Sequence, residues 1–456
     1  MGTSISQELS ARIFRPTYNK VMIRQILLTL FVLCLLPMWS ATALSQDDTN
    51  TSVMSDKQLA EFVRRAIVFL DSGQLQQRQQ ATQALIDQGP HVLDLLPTDL
   101  EPYSSEVRNR LDRVRQELYT QVAIQTAHGS KFSLSGIYRF SDVIRELKLQ
   151  TGNEVTTSRD VGETIELQLK NTPFHQALDN ILDLANLDIE PYFAPHPNQI
   201  LIKPRLEGIQ NRQNSGQYVG PFRIAATNIN TSRDLRNPMR ANCAITLQFS
   251  WEPRVRPLYL SMSTSSLGAV DDTNHELTPL IDGEKTLNVE GTAPLVEVEI
   301  PFSMPAKGAV NLSTVRGSIS AMVPGRKEHF EFSNLQTTSS FPKQQRRAGV
   351  TITVNSVRQA EGQTIVELTL HYKDAGNAFE SHRGWTTRNQ VYLTSHDKPL
   401  PEKPRRETID QKNQSVTYRF TFETKADLEK LAFHYHTPAL LMERQVEFEL
   451  HDLPLP

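Results

Sequence analysis

The sequence has little of what marks several protein classes. Its 456 residues include only two cysteines, Cys34 and Cys243, which excludes a disulfide-rich secreted scaffold. Hydrophobic residues make up 38% and charged residues 22%, a composition too polar for a protein that crosses a membrane many times. The formal net charge of −3 gives no general electrostatic footprint for nucleic acid. What remains is a globular chain, and at roughly 100–200 residues per domain its length predicts two to four domains.

An apolar run near the N-terminus indicates export. Ile26–Leu36 is apolar at all but one position, with Lys20 and Arg24 before it and Ala41-Thr-Ala43 after it. A basic flank, a short apolar core and small residues at a spacing of two are typical of a secretory signal peptide. The run is also shorter than the roughly 20 apolar residues that a membrane span needs. We therefore expect residues 1–45 to be a signal peptide.

Two alternatives remain for this segment. Translation from Met22 instead of Met1 would give a signal of ordinary proportions. An uncleaved signal anchor extending through Trp39 would leave the protein attached to the membrane. After cleavage Cys243 would be the one cysteine of the mature chain, and its apolar alternating surroundings predict a small buried hydrophobic residue.

Residues 55–126 have helical periodicity. Ser55 and Gln58 have the spacing of a capping box, and apolar residues recur after them at helical intervals. Within residues 74–118 the chain resembles one HEAT-like helical repeat, on the strength of Arg78-Gln-Gln-Ala81, Ala84-Leu85, Gly89-Pro90, Leu93, Leu96, Glu106-Val-Arg108 and Arg110-Leu111. Solenoids normally need at least three repeats. The resemblance therefore implies a helical platform docked on a neighbouring domain instead of a free array.

Residues 130–203 alternate between strand and helix patterns. Ile165, Leu167 and Leu169 alternate with polar residues, as in a strand with one buried face, and a helix with an apolar stripe follows Pro173. The whole segment predicts the order strand, helix, strand, strand, helix, strand, strand. This is a small α+β module of βαββαβ type.

The same segment resembles the short N-terminal (STN) domain of secretins and TonB-dependent receptors. The resemblance is carried by Phe140-Ser-Asp-Val-Ile-Arg-Glu-Leu147, Thr151-Gly152, Ile165-Glu-Leu-Gln-Leu169-Lys-Asn-Thr-Pro173, Ala177-Leu178, Ile181-Leu182, Leu187 and Ile200-Leu-Ile202. It implies a domain of the bacterial periplasm that binds other proteins and has no catalytic residues. The residues that follow have the pattern of neither a secretin pore nor a receptor barrel, so we expect a different user of this module and not a channel or transporter.

The C-terminal half resembles no family and reads as β-structure. After a linker at 207–216 the periodicity changes to two, which predicts β-sandwich domains at 217–340 and 346–453. An internal repeat supports two related copies. Its matching pairs are 222–229 with 350–357, 245–249 with 366–370, 298–302 with 418–422, and 329–335 with 447–453. Lys343, Arg346 and Arg347 lie between the copies and are expected to be a solvated linker.

Motifs of known chemistry are weak or missing. The sequence has no Gly-x-Ser-x-Gly and no His-Glu-x-x-His motif. Asp272-x-Asn274-x-Glu276 resembles half of a calcium loop, but Leu277 stands where that loop requires glycine, so a hairpin turn is favoured. We expect no catalytic residues and no cofactor.

Histidines and tryptophans of the C-terminal half offer two further hypotheses. His434 and His436 share one face of a predicted strand and with His371 or His382 could ligate zinc, although a half-exposed sheet face is the simpler interpretation and no metal site is expected. Trp251 and Trp385 could stack on sugars. The alternative for both is a role in the core or in an inter-domain contact.

These observations predict a non-enzymatic exported protein that acts by protein–protein interaction or scaffolding in the bacterial periplasm or at the cell surface. Its expected partners are envelope proteins and not nucleic acid, with membrane contact only through an uncleaved signal segment. A carbohydrate-binding envelope protein that uses aromatic faces of the sandwiches is the alternative.

Overall fold

A computed structural model describes residues 55–456 except 98–99, 158–161, 214, 238, 288, 290, 337–340 and 374–383. The expected signal peptide at 1–45 therefore lies outside the described residues. The described residues divide into two compact units, one ending at Leu118 and the other comprising Tyr119–Pro456. The fold is a β-rich mixture of helices and mainly antiparallel sheets, as the sequence predicted. Among the described residues, no helix combines the length and the apolar character needed to span a membrane.

The helices follow the predicted order. They are α1 Asp56–Leu70, α2 Leu75–Asp87, α3 Ser105–Ala127, α4 Phe140–Thr151 and α5 Phe174–Leu184, with a 3-10 helix at Pro90–Leu95. The predicted capping box is present, because the Ser55 hydroxyl accepts the Gln58 N–H and the Gln58 side chain accepts the Ser55 N–H. Ser104 caps α3 by accepting the Val107 N–H at 3.3 Å.

The module at 130–203 has the predicted element order. Its strands are β1 Lys131–Arg139, β2 Glu154–Thr157, β3 Thr164–Pro173, β4 Leu187–Ile189 and β5 Gln199–Pro204. Strands β1 and β3 form an antiparallel ribbon, while β2, β5 and β4 form a second small sheet. The apolar faces of α4 and α5 pack with β3 into a separate core. Helix α4 ends at Gly152, whose φ of 70° is the left-handed conformation that favours glycine at a helix C-terminus.

Among the described residues after Pro204 there are seventeen strands. They are β6 Gln217–Val219, β7 Phe222–Arg233, β8 Ala241–Trp251, β9 Tyr259–Ser263, β10 Gly268–Asp271, β11 Glu276–Leu277, β12 Glu284–Leu287, β13 Leu295–Phe302, β14 Asn311–Phe332, β15 Lys343–Arg347, β16 Val350–Ala360, β17 Gln363–Tyr372, β18 Gln390–Ser395, β19 Lys398–Pro399, β20 Arg405–Lys412, β21 Ser415–Phe422 and β22 Leu431–Pro454. Short 3-10 helices lie at Pro253–Val255, Thr264–Ser266, Gly384–Arg388 and Leu428–Lys430.

Strand pairing follows the internal repeat. The first sheet has the order β6-β7-β8-β13 and the second sheet the order β15-β16-β17-β21-β20, so strands matched in sequence occupy matched places. A break in register falls at the same place in both sheets, between Ala226 and Asn228 and between Val354 and Ser356. The predicted linker residues Lys343, Arg346 and Arg347 belong to β15 and pair with β16. The expectation of a solvated linker is corrected, because this segment supplies the edge strand that corresponds to β6.

A shared sheet joins the two copies. Its order is β11-β10-β14-β22-β18-β19, with β9 also paired to β14 and β12 to β9. The 22 residues of β14 and the 24 residues of β22 pair along nearly their whole length, from Asn311 opposite Pro454 to Phe332 opposite Phe433. Each of these two strands thus runs along both halves of the structure.

The boundary expected at 340–346 does not separate two cores. The core between the first and shared sheets includes Val446, Phe448 and Leu450 from the end of β22. The core between the second and shared sheets includes Tyr259 and Met322 from the first copy. The predicted domains at 217–340 and 346–453 are corrected accordingly, because the long strands exchange residues between the two cores.

Candidate functional site

A buried carboxylate at the end of β8 attaches the module to the first sheet. Glu252 is fully buried, and its carboxylate accepts the Ser130 N–H at 2.7 Å, the Ser130 hydroxyl at 2.6 Å and the Asn153 amide at 2.9 Å. Arg254 Nε forms an ion pair with the same carboxylate at 2.6 Å. Because every contact is charged or directional, this carboxylate fixes the module's orientation.

A second buried carboxylate makes the other attachment. Asp179 on α5 is 1% exposed and forms ion pairs with Arg223 Nε at 2.6 Å and Arg212 Nε at 2.8 Å. The Tyr218 hydroxyl donates to it at 2.8 Å. Burial favours the neutral acid, but the two arginines outweigh it and hold the pKa of Asp179 below its usual value. We call the contacts of Glu252 and Asp179 together the joint.

Beside the joint lies a cleft of about 630 Å³, which we call the junction cleft. Three regions line it: the module, the segment after β8, and the shared sheet with its neighbouring turns, to which β14 of the first copy and residues 385–390 and 436–438 of the second copy both contribute. Its lining residues are Gly152, Glu154, Asn198, Pro253, Arg254, Arg256, Pro257, Leu258, Pro324, Gly325, Arg326, Lys327, Trp385, Arg388, Asn389, Gln390, His436, Thr437 and Pro438. The site is thus assembled from segments nearly 300 residues apart in sequence.

The lining of the junction cleft is strongly cationic. Five of these residues are arginine or lysine, whereas Glu154 is the one carboxylate among the described lining residues. Glu154 is itself paired with Lys148 at 2.8 Å, outside the lining. The lining therefore has an excess of positive charge that Glu154 does not neutralise.

Two of the five cations are neutralised and three are not. Arg254 pairs with Glu252 in the joint, and Arg326 pairs with Glu328 at 2.7 Å. Arg256, Lys327 and Arg388 have no ion pair within the described part of the chain. Such unpaired cations can hold an anion.

Arg256 and Arg388 carry the clearest electrostatic signal. Burial, followed by the positive charge of Arg388, lowers the pKa of the Arg256 guanidinium. Both effects disfavour the charged form, so a bound anion would relieve them. Guanidinium groups also match the planar, bidentate geometry of a carboxylate or phosphate.

One wall of the junction cleft is held rigidly. Asn389 donates through Nδ2 to the Tyr435 hydroxyl at 2.9 Å and to Thr437 Oγ1 at 2.8 Å. Trp385 packs edge-on against Tyr372, with ring centroids 5.4 Å apart. The segment that carries Arg388 therefore lies between two ordered contacts.

The tryptophans do not form a sugar platform. Trp251 is 2% exposed in the first core and Trp385 is 3% exposed in the second. A stacking platform has to present a ring face to solvent, and neither ring does so. The expectation of sugar stacking at these two residues is corrected, and core packing is their role.

His434 and His436 share one face of a strand, as predicted, but their neighbours are not the expected His371 or His382. His434 and His436 on β22 lie beside His329 and Glu331 on β14 and Tyr392 on β18. We call these five residues the histidine patch. Of the ligands proposed from sequence, His371 is exposed on β17 in the second sheet, and His382 lies outside the described residues.

The calcium-like motif is a hairpin turn between β10 and β11, as favoured. The buried Asp271 carboxylate accepts the Thr273 and His275 N–H groups at 2.9 and 3.0 Å and the Ala306 N–H at 2.8 Å. Burial raises the pKa of this carboxyl, but these hydrogen bonds outweigh it and lower the pKa to about 2. Cys243 is buried in the first core, as predicted, and burial raises the pKa of its thiol.

Sequence reasoning missed the residues that matter most at this site. Asp179 sits beside an apolar helical stripe, and Arg223 lies between Phe222 and Ile224 in a buried strand. Charged residues at such positions are the available signal for a buried ion pair. Arg256 and Arg388 carry no comparable local signal, because only the fold brings them together.

Comparisons with family models, with curated proteins and with solved structures find no match to this chain. No activity or ligand can therefore be transferred from a relative.

Proposed function

We propose that this is a non-enzymatic binding protein of the bacterial envelope, which holds an acidic segment of a partner protein in the junction cleft. Export is supported by the signal-like segment at 1–45. A periplasmic, protein-binding role is supported by the resemblance of 130–203 to STN domains. In this proposal the module and the two sheet pairs form a rigid frame for the cleft.

The carrying observation is the pair Arg256 and Arg388. Burial and the positive charge of Arg388 together lower the pKa of Arg256, so its charged form is disfavoured unless an anion binds beside it. Lys327 adds a third unpaired cation to the same lining. A carboxylate-rich segment would offset this repulsion when it binds and would gain affinity from it.

The dimensions and position of the cleft favour a cluster of side chains from a bound peptide as its occupant. A volume of about 630 Å³ falls within the range of about 300–1,000 Å³ typical of ligand sites. The module contributes Gly152, Glu154 and Asn198 to the lining. A partner bound to the module would therefore lie within reach of the cations.

The first test uses a fluorescent polyglutamate peptide. The wild-type protein should bind it with an affinity that falls as salt rises, and Arg256→Gln combined with Arg388→Gln should weaken binding at least about tenfold. The control Arg358→Gln removes an exposed arginine of β16 outside the cleft and should bind as wild type. Equal binding by the double variant and the wild type would overturn the proposal.

The second test asks whether the occupant is a protein. A photo-crosslinking amino acid replaces Gln390, an exposed lining residue, in cells that export the full chain. The expected result is one reproducible protein adduct, identified by mass spectrometry, that disappears when Arg256 and Arg388 are both changed to Gln. An adduct that persists in that background, or an adduct to glycan alone, contradicts a protein ligand of this cleft.

A further inference from the structure

The histidine patch gathers three metal-ligating side chains by strand register. Glu331 of β14 lies directly opposite His434 of β22. His329 lies opposite His436, two residues further along the same pair of strands. Tyr392 of β18 lies opposite His434 on its other side. Alternate residues share a face, so all five side chains project from one face of the shared sheet. The opposite face carries the core residues between them, such as Phe330 and Tyr435.

The ligand atoms are already close together. His329 Nε2 and His434 Nδ1 are 2.9 Å apart, and the nitrogens and the Glu331 carboxylate all lie within 4.8 Å of one another. In a tetrahedral zinc site with Zn–N bonds of about 2.0–2.1 Å, two nitrogens stand roughly 3.3 Å apart. The histidine pair thus has to open by only about 0.4 Å to admit an ion.

We propose that His329, His434 and Glu331 form a binding site for a divalent transition-metal ion of zinc type. Two imidazoles and one carboxylate fill three positions, and the fourth stays open to water or to a ligand. This donor set suits zinc and its neighbours and does not suit the oxygen-only preferences of calcium or magnesium. The site is independent of the cations proposed to bind an acidic segment.

The surroundings of the two imidazoles fit this role. His434 Nε2 is 2.8 Å from the Thr394 hydroxyl, and when Nε2 donates to that hydroxyl, Nδ1 carries the lone pair and faces His329 Nε2. The ring of His436 stacks on that of His329, with centroids 4.2 Å apart and an interplanar angle of 5°. The ring of Tyr392 stacks on that of His434, with centroids 4.8 Å apart and an interplanar angle of 7°. These contacts fix both ligand rings before any ion arrives.

The test is direct metal binding by the full chain, without an affinity tag and after treatment with a chelator. Titration with Zn²⁺ followed by calorimetry should show one site, and Co²⁺ should give the visible absorption of a low-symmetry nitrogen–oxygen site. His329→Gln and Glu331→Gln should each weaken Zn²⁺ binding at least about tenfold. Both side chains are partly or fully exposed, so these variants should keep the wild-type circular dichroism spectrum and thermal midpoint.

The matched control is His371→Gln, which removes an exposed histidine from the second sheet and should bind Zn²⁺ as wild type. Absence of stoichiometric Zn²⁺ binding would overturn the proposal. Binding that survives in both His329→Gln and Glu331→Gln would overturn it as well, because the ion would then lie elsewhere. Neither result bears on polyglutamate binding, so the two proposals fail separately.

Discussion

The joint and the junction cleft adjoin each other, but the charges of the joint are paired within the chain whereas several cations of the cleft are not. In the joint, Glu252 and Asp179 are buried, and each accepts several hydrogen bonds and at least one ion pair. In the cleft, Arg256 and Arg388 have no carboxylate partner among the described residues, and burial together with the positive charge of Arg388 lowers the pKa of Arg256. Arg254 belongs to both regions, and it is neutralised on the joint side.

This contrast separates structural charges from binding charges. A buried charge that is fully paired within the chain orients the domains and leaves nothing to bind a ligand. Cations that remain unpaired and repel one another favour the binding of an external anion. Variants on the two sides should therefore move different observables, stability for the joint and binding for the cleft.

The largest effect is expected for Asp179→Asn in the joint. The change leaves Arg223, whose side chain is 3% exposed, without a counter-charge. Breaking a buried pair in this way should lower the free energy of unfolding by about 3–5 kcal/mol, measured by urea denaturation. Replacing both partners, as Asp179→Leu with Arg223→Met, should recover most of that loss.

The exposed pair of Asp142 and Arg145 in the same module supplies the control for that experiment. Asp142→Asn should cost less than about 1 kcal/mol, because solvent screens the pair. If Asp179→Asn cost no more than this control, the joint would not be what anchors the module.

The second effect is pH dependence from His175, which is buried in the joint region. Its Nε2 atom has no hydrogen-bond partner within the described residues, and burial lowers its pKa from 6.5 to about 4 despite Glu252 and Asp179, while Arg223 and Arg212 oppose the charged form. The unfolded chain thus binds more protons than the folded one between pH 6.5 and 4. Stability from this group is present at pH 7 and is lost on acidification, by up to about 3 kcal/mol at pH 4.

His175→Phe should flatten this dependence while keeping a ring at the site. Urea denaturation of wild type and variant at pH 7 and pH 4.5 measures it, and the difference between the two proteins separates His175 from the carboxyl groups that titrate in both. Identical loss of stability in both proteins would show that another group titrates, and that the joint tolerates a charge on His175.

The smallest effect on stability is expected in the cleft. Arg256→Gln removes a half-buried cation from beside Arg388, so the free energy of unfolding should stay the same or rise by less than about 1 kcal/mol. Urea denaturation beside the polyglutamate assay checks this. A loss above about 2 kcal/mol would place Arg256 with the structural charges of the joint and remove the contrast.

Local patterns were sufficient for some elements and not for others. The Ser55 capping box and the alternation of Ile165, Leu167 and Leu169 in β3 were both predicted, because each depends on residues a few positions apart. The repeat was also visible, since matched strands keep similar side-chain patterns. The boundary at 340–346 was wrong, because periodicity does not show that β14 and β22 pair along their whole length.

Candidate site residues divide in the same way. His434 and His436 were found because residues two positions apart on a strand project from the same face. Their partner His329 was missed, since it lies 105 residues from His434 and only the register of β14 and β22 joins them. Trp251 and Trp385 were identified as aromatic residues of interest, but burial decided their role.

The sequence by itself determined the class of this protein: a β-rich chain with a helical beginning, an α+β module, a repeated strand pattern, few cysteines and little net charge. Those properties depend on composition and on short-range periodicity. Tertiary structure alone decided the shared sheet, the fully paired joint, the unpaired cations of the cleft and the histidine patch. Each of these joins residues distant in the chain, and burial and charge pairing at such places depend on which strands meet, which no local pattern encodes.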